Sequence, residues 1–311
     1  MRDDNIKTDQ MVRAVWMYYI SGKNQSEIAA DLGISRPAVQ RLLAAAKEEG
    51  IVSVGVNHPI AMCLDYSEIL KEKFQLKVCN IVPVSKDSDT VDNVSFGCFQ
   101  LMSRYIKDNN KVIGIGSGKT LKKAINRIDF TAQGCKCVAL ISALNTDGQC
   151  NYYDDVPAIL AHKIKANYYQ FPAPRYAETA KEHKSWVGNK VYKSICATAD
   201  AADYIFVGVG SLSEASPIVQ DGFITESTAD SLREQGAVGE VLGRFINADG
   251  DVVDCEINQL VTSYDIRSNP NVRIGSACGE DKRHALIAAL KGKWINGLVT
   301  DEQTARWLLT N

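Results

Sequence analysis

The sequence predicts an α/β protein in two parts: a small helical N-terminal domain carrying a helix-turn-helix, and a larger domain built on a mainly parallel sheet. Three observations carry this prediction. Residues 1–50 show helical apolar periodicity and no long β-type run. The stretch QSEIAADLGISRPAVQRLL at 25–43 has the punctuation of two helices joined by a tight turn. Beyond residue 60, apolar runs at 78–84, 112–116, 136–142, 204–209, 272–277 and 297–300 alternate with helical stretches, as in βαβ units.

Taken in chain order, Met11, Val12, Val15, Trp16, Tyr19 and Ile20 recur at helical spacing and predict a first helix over 9–21. A second is expected over 25–32, where Ile28, Ala29 and Leu32 share a face and Gly33 can end the helix with positive φ. Ser35 is placed to cap a third helix over 36–49. Pro37 fits its first turn, Val39, Leu42 and Leu43 give it an apolar face, and Gly50 closes it. Small Ala29 lets the two helices cross closely. IVSVGV at 51–56 alternates and is expected to form a small strand, or wing, before the breakers Asn57, His58 and Pro59. The expected division is a helix-turn-helix domain at 1–56, a linker at 57–65 and a larger domain at 66–311.

Composition narrows the function. Hydrophobic residues at 45% and charged residues at 23% are ordinary for a folded globular chain and exclude a fibrous or disordered one. A net charge of −2 supplies no global positive field, so any contact with nucleic acid must be local. The polar start MRDDNIKTDQ has no signal-peptide core, and no apolar run is long enough to span a membrane, so a cytoplasmic protein is expected. The nine cysteines are odd in number and scattered, which fits reduced thiols and not a disulfide framework. Cys135 and Cys137 are expected to point to opposite faces of one strand and to form neither a zinc site nor a redox pair. No metal or cofactor is expected.

Residues 1–55 hold seven basic and seven acidic side chains, so this domain is not a general DNA clamp. Within 35–47, however, Arg36, Arg41 and Lys47 are unopposed. A recognition helix beginning at Ser35, Arg36 and Pro37 would direct Arg36, Ala38 and Gln40 or Arg41 at base edges, with Gln25 and Ser26 near phosphate. An ordinary αα-hairpin is the alternative reading.

The arrangement YYISGKNQSEIAADLGISRPAVQRLLAAAKEEGIV (18–52) resembles the N-terminal domain of the SorC family of bacterial sugar-responsive transcriptional regulators. Matching stretches continue in family order: IGIGSGKTL (113–121), FPAPRY (171–176), ADYIFVGVGSL (202–212), GAVGEVLGRFINADGDVV (236–253) and ALKGKWINGLVTDEQTARWLL (289–309). The resemblance implies a winged helix-turn-helix joined to a Rossmann-like αβα effector domain resembling ribose-phosphate isomerase and glucosamine-phosphate deaminase. It implies operator DNA as partner, a phosphorylated sugar or polyol as effector, and a homo-oligomer, commonly a tetramer.

Read without the family, KVIGIGSGKTLKKAI is a buried strand, a glycine loop and a helix, with Ser117 or Thr120 near the helix start. Such a loop cradles an anion, because Gly116 and Gly118 let the backbone approach a phosphate and the helix dipole favours negative charge. Neither the P-loop nor the dinucleotide fingerprint fits: Ile113 stands where the first P-loop glycine belongs, and the glycines at 114, 116 and 118 are wrongly spaced for the other. The candidate effector-binding residues are Gly116, Ser117, Gly118, Lys119, Thr120, Arg175, Asn247 and Lys282. Ser117 replaces the tryptophan usual in the family. Asn247 stands where the family carries a pocket aspartate, and Lys282 matches the family lysine that faces the effector. Ser142 to Asn145 replace the usual Gly-Gly after the third strand. No catalytic residue is expected: the four histidines read as surface groups, and Asp154 and Asp155 read as a loop entering a helix. A sugar-phosphate isomerase or deaminase with a DNA-binding appendage is the competing function, permitted by the fold analogy and unsupported by any acid and base pair.

Overall fold

The computed structural model describes residues 2–52, 58–84, 89–143 and 155–311. The chain divides into two compact units, 1–58 and 59–311.

The first unit contains α1 (Arg2–Tyr19), α2 (Gln25–Leu32) and α3 (Arg36–Glu48). Helix α1 starts seven residues before its expected first turn. The residues before it, RDDNIKT, are largely polar and leave no apolar periodicity to read, and an exposed Asp9–Arg13 pair follows them. Helix α2 starts at a capping box. The Asn24 side-chain oxygen accepts from the Ser26 and Glu27 N–H groups at 3.0 and 3.1 Å, and the Glu27 carboxylate accepts from the Asn24 N–H at 2.8 Å. Gly33 ends α2 with φ of 65°, and Ser35 caps α3 by accepting from the Ala38 N–H at 3.3 Å. Ala14, Ile28, Val39 and Leu43 form the core of the unit, with Ala29 packed against them. The wing expected at 51–56 lies, from residue 53 onward, outside the described residues.

The second unit is a three-layer αβα sandwich. Its strands are β1 (Val78–Val82), β2 (Val112–Ile115), β3 (Lys136–Ala139), β4 (Asn167–Tyr169) and β5 (Tyr204–Gly208), then a hairpin of β6 (Gly239–Val241) and β7 (Arg244–Ile246), and finally β8 (Val272–Ser276) and β9 (Gly297–Asp301). Seven of them form one parallel sheet in the order β1-β9-β8-β5-β2-β3-β4. The helices are α4 (Pro59–Phe74), α5 (Thr90–Ile106), α6 (Lys119–Asn126), α7 (Val156–Ile164), α8 (Ala180–Gly188), α9 (Lys190–Asp200), α10 (Pro217–Gln220), α11 (Glu226–Glu234), α12 (Glu256–Leu260), α13 (Arg283–Lys291) and α14 (Glu302–Thr310). Side chains of α4, α9, α13 and α14 bury one face of the sheet, and those of α5, α6 and α7 bury the other. Strand alternation feeds both layers: Ile205 and Val207 enter the first core, Phe206 the second. A smaller cluster joins α10, α11 and the hairpin through Ile218, Leu232 and Phe245.

Two expectations need correction. Residues 59–65, read as linker, are the first turns of α4; proline is tolerated there because the first helical N–H groups have no partner within the helix. Cys135 and Cys137 share one face, since residues two apart in an extended chain point the same way, and both enter the core beneath α5, α6 and α7. Burial pushes the Cys137 thiol up from its ordinary value, which suits packing and not redox chemistry. Strands β4, β6 and β7 carry no sequence signal of their own. Elsewhere, the Gly250 and Gly292 backbones meet so closely that a Cβ on either would collide with the other, and the buried Trp294 indole N–H donates to the Gly250 carbonyl at 2.7 Å.

Candidate functional site

In the first unit, the segment from Gln25 to Arg41 presents a polar surface built on the apolar crossing of α2 and α3. Ser26, Ser35, Arg36, Pro37, Gln40 and Arg41 are exposed, and Gln25 and Ala38 are half-buried. Arg36, Pro37 and Ala38 occupy the first turn of α3, the end that a major-groove helix presents to bases. The Gln40 amide donates to the Gln25 side-chain oxygen at 3.0 Å. One residue expected at phosphate thus holds one expected at a base edge.

In the second unit, the strand order turns back between β2 and β5, and an open α/β sheet binds ligands outside the strand ends at that position. A cavity of ≈ 250 Å³ lies there, lined by residues at or beyond the C-terminal ends of β2 (Ser117 to Leu121), β5 (Gly208 to Ser211) and β8 (Ser276). It is closed by the segment carrying α10, by Arg175, and by Asp281 and Lys282. Gly118 is the N-cap of α6, with φ of 131° and ψ of 155°, and no side chain caps this terminus. The first helical N–H groups and the positive end of the helix dipole are thus left without a side-chain partner beside the cavity. Gly116 does not line the cavity. Its hydrogen side chain is set by close approach, since a Cβ there would meet Leu242 Cδ2 at 2.9 Å.

The remaining expected residues separate. Ser117, Gly118, Lys119, Thr120, Arg175 and Lys282 line one cavity. Lys119 is exposed and Lys282 half-buried, whereas Arg175 is 7% exposed. The Arg175 guanidinium lies 3.3 Å from the centre of the Phe223 ring and donates to the Ser142 carbonyl at 3.3 Å. Asn247 is not among the lining residues. Its side-chain oxygen accepts from the Asp249 and Asp251 N–H groups at 3.0 Å each, which commits the amide to the turn after β7. Asp155 serves an ion pair: Lys122, buried on the far flank of α6, donates to both its oxygens at 2.9 and 3.2 Å. Among the described residues, no cluster of side chains suits a metal, and no helix is long and apolar enough to cross a membrane.

Sequence reasoning missed several cavity residues: Ser211, Asp221, Phe223, Glu240 and Ser276. Ser211 and Ser276 were within reach, since each stands at or just beyond the C-terminal end of a predicted strand. Asp221 and Phe223 carry no local signal. Burial pushes the Asp221 carboxyl up from its ordinary value, and neighbouring Arg175 pulls it back down.

Comparison with known proteins agrees with the two-part fold. Residues 58–310 match the family described as "Putative sugar-binding domain", and residues 10–54 match a homeodomain-like helix-turn-helix. The chain is 31% identical to the transcriptional regulator LsrR of Escherichia coli O139:H28, over 97% of this chain and 94% of that protein. It is 28% identical to the erythritol catabolism regulatory protein EryD of Brucella abortus, over 96% of this chain and 95% of that protein. The full-length sorbitol operon regulator SorC of Klebsiella pneumoniae superposes with a TM-score of 0.72 and 25% identity, covering 98% of this chain and 99% of that one. These relatives are transcriptional regulators and not enzymes, so the isomerase or deaminase reading falls away. A helix-turn-helix followed by a sugar-binding α/β domain, matched end to end by such regulators, makes this chain a member of the SorC family of sugar-responsive transcriptional regulators.

Proposed function

We propose that the chain controls a carbohydrate-utilisation operon, with its affinity for operator DNA set by a phosphorylated sugar or polyol held at the N-terminus of α6. The uncapped α6 terminus opening into the cavity is the observation that carries this reading. A phosphate takes the N–H groups after Gly118, with Gly116 and Ser117 shaping the loop, Thr120 offering a hydroxyl, and Lys119 and Lys282 adding charge. Arg175 orients the rest of the ligand, while the amide of Asn247 stays with its turn. Arg36, Ala38, Gln40 and Arg41 read bases, and Gln25 and Ser26 contact phosphate near the helix start at Ser35 and Pro37. The protein acts in the cytoplasm as a homo-oligomer, a tetramer, so that paired helix-turn-helix units engage paired half-sites. The effector shifts the balance between conformations of high and low operator affinity.

Thermal-shift screening against phosphorylated sugars and polyols tests this. A ligand at 100 times its dissociation constant stabilises the domain by about 2.7 kcal/mol, and the same compound should change footprinting of the chain on its own upstream DNA. Stabilisation by unphosphorylated sugars alone would refute the phosphate assignment.

A further inference from the structure

The wall opposite α6 carries polar groups that the phosphate reading leaves without a task. Ser216 lines the cavity and is 2% exposed, and its hydroxyl has no hydrogen-bond partner among the described residues, although it stands at the N-cap of α10. A buried hydroxyl without a partner is costly, and a ligand group would satisfy it. Asp221 follows α10 and lines the same cavity. Phe223, two residues on, stacks against the Arg175 guanidinium, so Arg175 and the α10 segment form one wall. Asp221 and Arg175 interact electrostatically, and the carboxylate offsets the guanidinium charge. That balance disfavours a second anion, while leaving acceptors and a donor for neutral hydroxyls.

We propose that Ser216 and Asp221 form a second subsite that takes a neutral hydroxyl group at the end of the ligand away from α6, making the cavity selective for ligands with one anionic end. This rests on the phosphate site proposed above and adds the ligand's other end. Asp221 acts as the discriminating residue: it accepts from a hydroxyl and repels a second phosphate or a carboxylate. Ser216 supplies the matching donor or acceptor.

The test is calorimetric titration of the full-length chain, Asp221→Asn and Ser216→Ala with inorganic phosphate, a panel of five- and six-carbon sugar and polyol monophosphates, and the bisphosphates of the same sugars. The wild-type chain should bind its best monophosphate at least about tenfold more tightly than any bisphosphate, and Asp221→Asn should shrink that preference to about threefold or less. Ser216→Ala should weaken the best monophosphate while leaving inorganic phosphate unchanged. Both substitutions are close to isosteric, and preference between two ligands does not follow from a general loss of folding. A wild-type preference for bisphosphates, or an unchanged preference in Asp221→Asn, overturns the proposal while the phosphate site stands. Failure of every phosphorylated compound and of inorganic phosphate to bind any of the proteins overturns both.

Discussion

Replacing Gly118 by alanine isolates the contribution of the loop before α6. With φ of 131° and ψ of 155°, this residue sits in a region occupied essentially by glycine alone, which costs any other residue about 1–3 kcal/mol. A Cβ built there would meet nothing within 4 Å, so the penalty is backbone strain and not collision. For a unit of this size each kcal/mol moves Tm by about 2–4 °C, so Gly118→Ala should lower Tm by roughly 2–12 °C. If the loop instead relaxes to escape the strain, the first N–H groups of α6 turn away from the cavity and affinity for phosphorylated ligands falls. Either way the substitution is felt. Scanning calorimetry and titration with the best ligand separate the two routes. Gly188→Ala, at the end of α8, serves as control, because φ there is not positive and the added methyl group meets nothing within 4 Å. Unchanged Tm and unchanged ligand affinity in Gly118→Ala would refute the assignment of strain and anion binding to this loop.

Further outcomes are expected elsewhere. Ile28→Ala removes a fully buried side chain from the small core of the first unit and should destabilise it by about 2–5 kcal/mol, read as early loss of operator binding on heating. Asn24→Ala removes the capping box of α2 at a cost of about 1 kcal/mol, visible as faster hydrogen exchange in α2. Gln25→Ala and Gln40→Ala should be non-additive in operator affinity, and Gln25→Ala should disturb base preference, because Gln25 holds the Gln40 amide; additive effects would break that link. For Asp265, burial raises the carboxyl, but the bidentate Arg267 and nearby Arg244 outweigh it and hold the group below its ordinary value. Its stabilisation is therefore present above about pH 4 and lost as pH falls through the lowered folded-state value, so Asp265→Asn should flatten the acid limb of a stability profile.

The parallel strands were legible because both faces of the sheet are covered, which leaves unbroken apolar runs such as YIFVG. Strand β4 was not, since its residues Asn167 and Tyr168 lie exposed at a sheet edge and read as loop. The β6–β7 hairpin was hidden by its turn: Leu242 and Gly243 both take positive φ, at 52° and 79°, where Asn-Gly would have announced the turn. That leucine is 5% exposed and lines the cavity, so its conformation is held by packing and not by propensity. The phosphate end of the site was readable because glycines and a helix start mark it within one short stretch. The opposite wall was not, because Arg175, Ser216 and Asp221 meet only through the fold. Asn247 shows the converse: the family resemblance picks out the residue, whereas the structure places its side-chain oxygen in its own turn and the residue outside the cavity lining.

The contact between Gly250 and Gly292 has a consequence for how such a protein can change. Neither position accepts a side chain while the other backbone stays in place, and enlarging both worsens the collision, so no pair of substitutions compensates. Two segments 42 positions apart, at 250 and 292, are thus locked at positions that cannot covary. Paired variation among relatives would pass over one of the closest approaches in the molecule. Its trace would be the fixity of both glycines and of the tryptophan that donates to one of them.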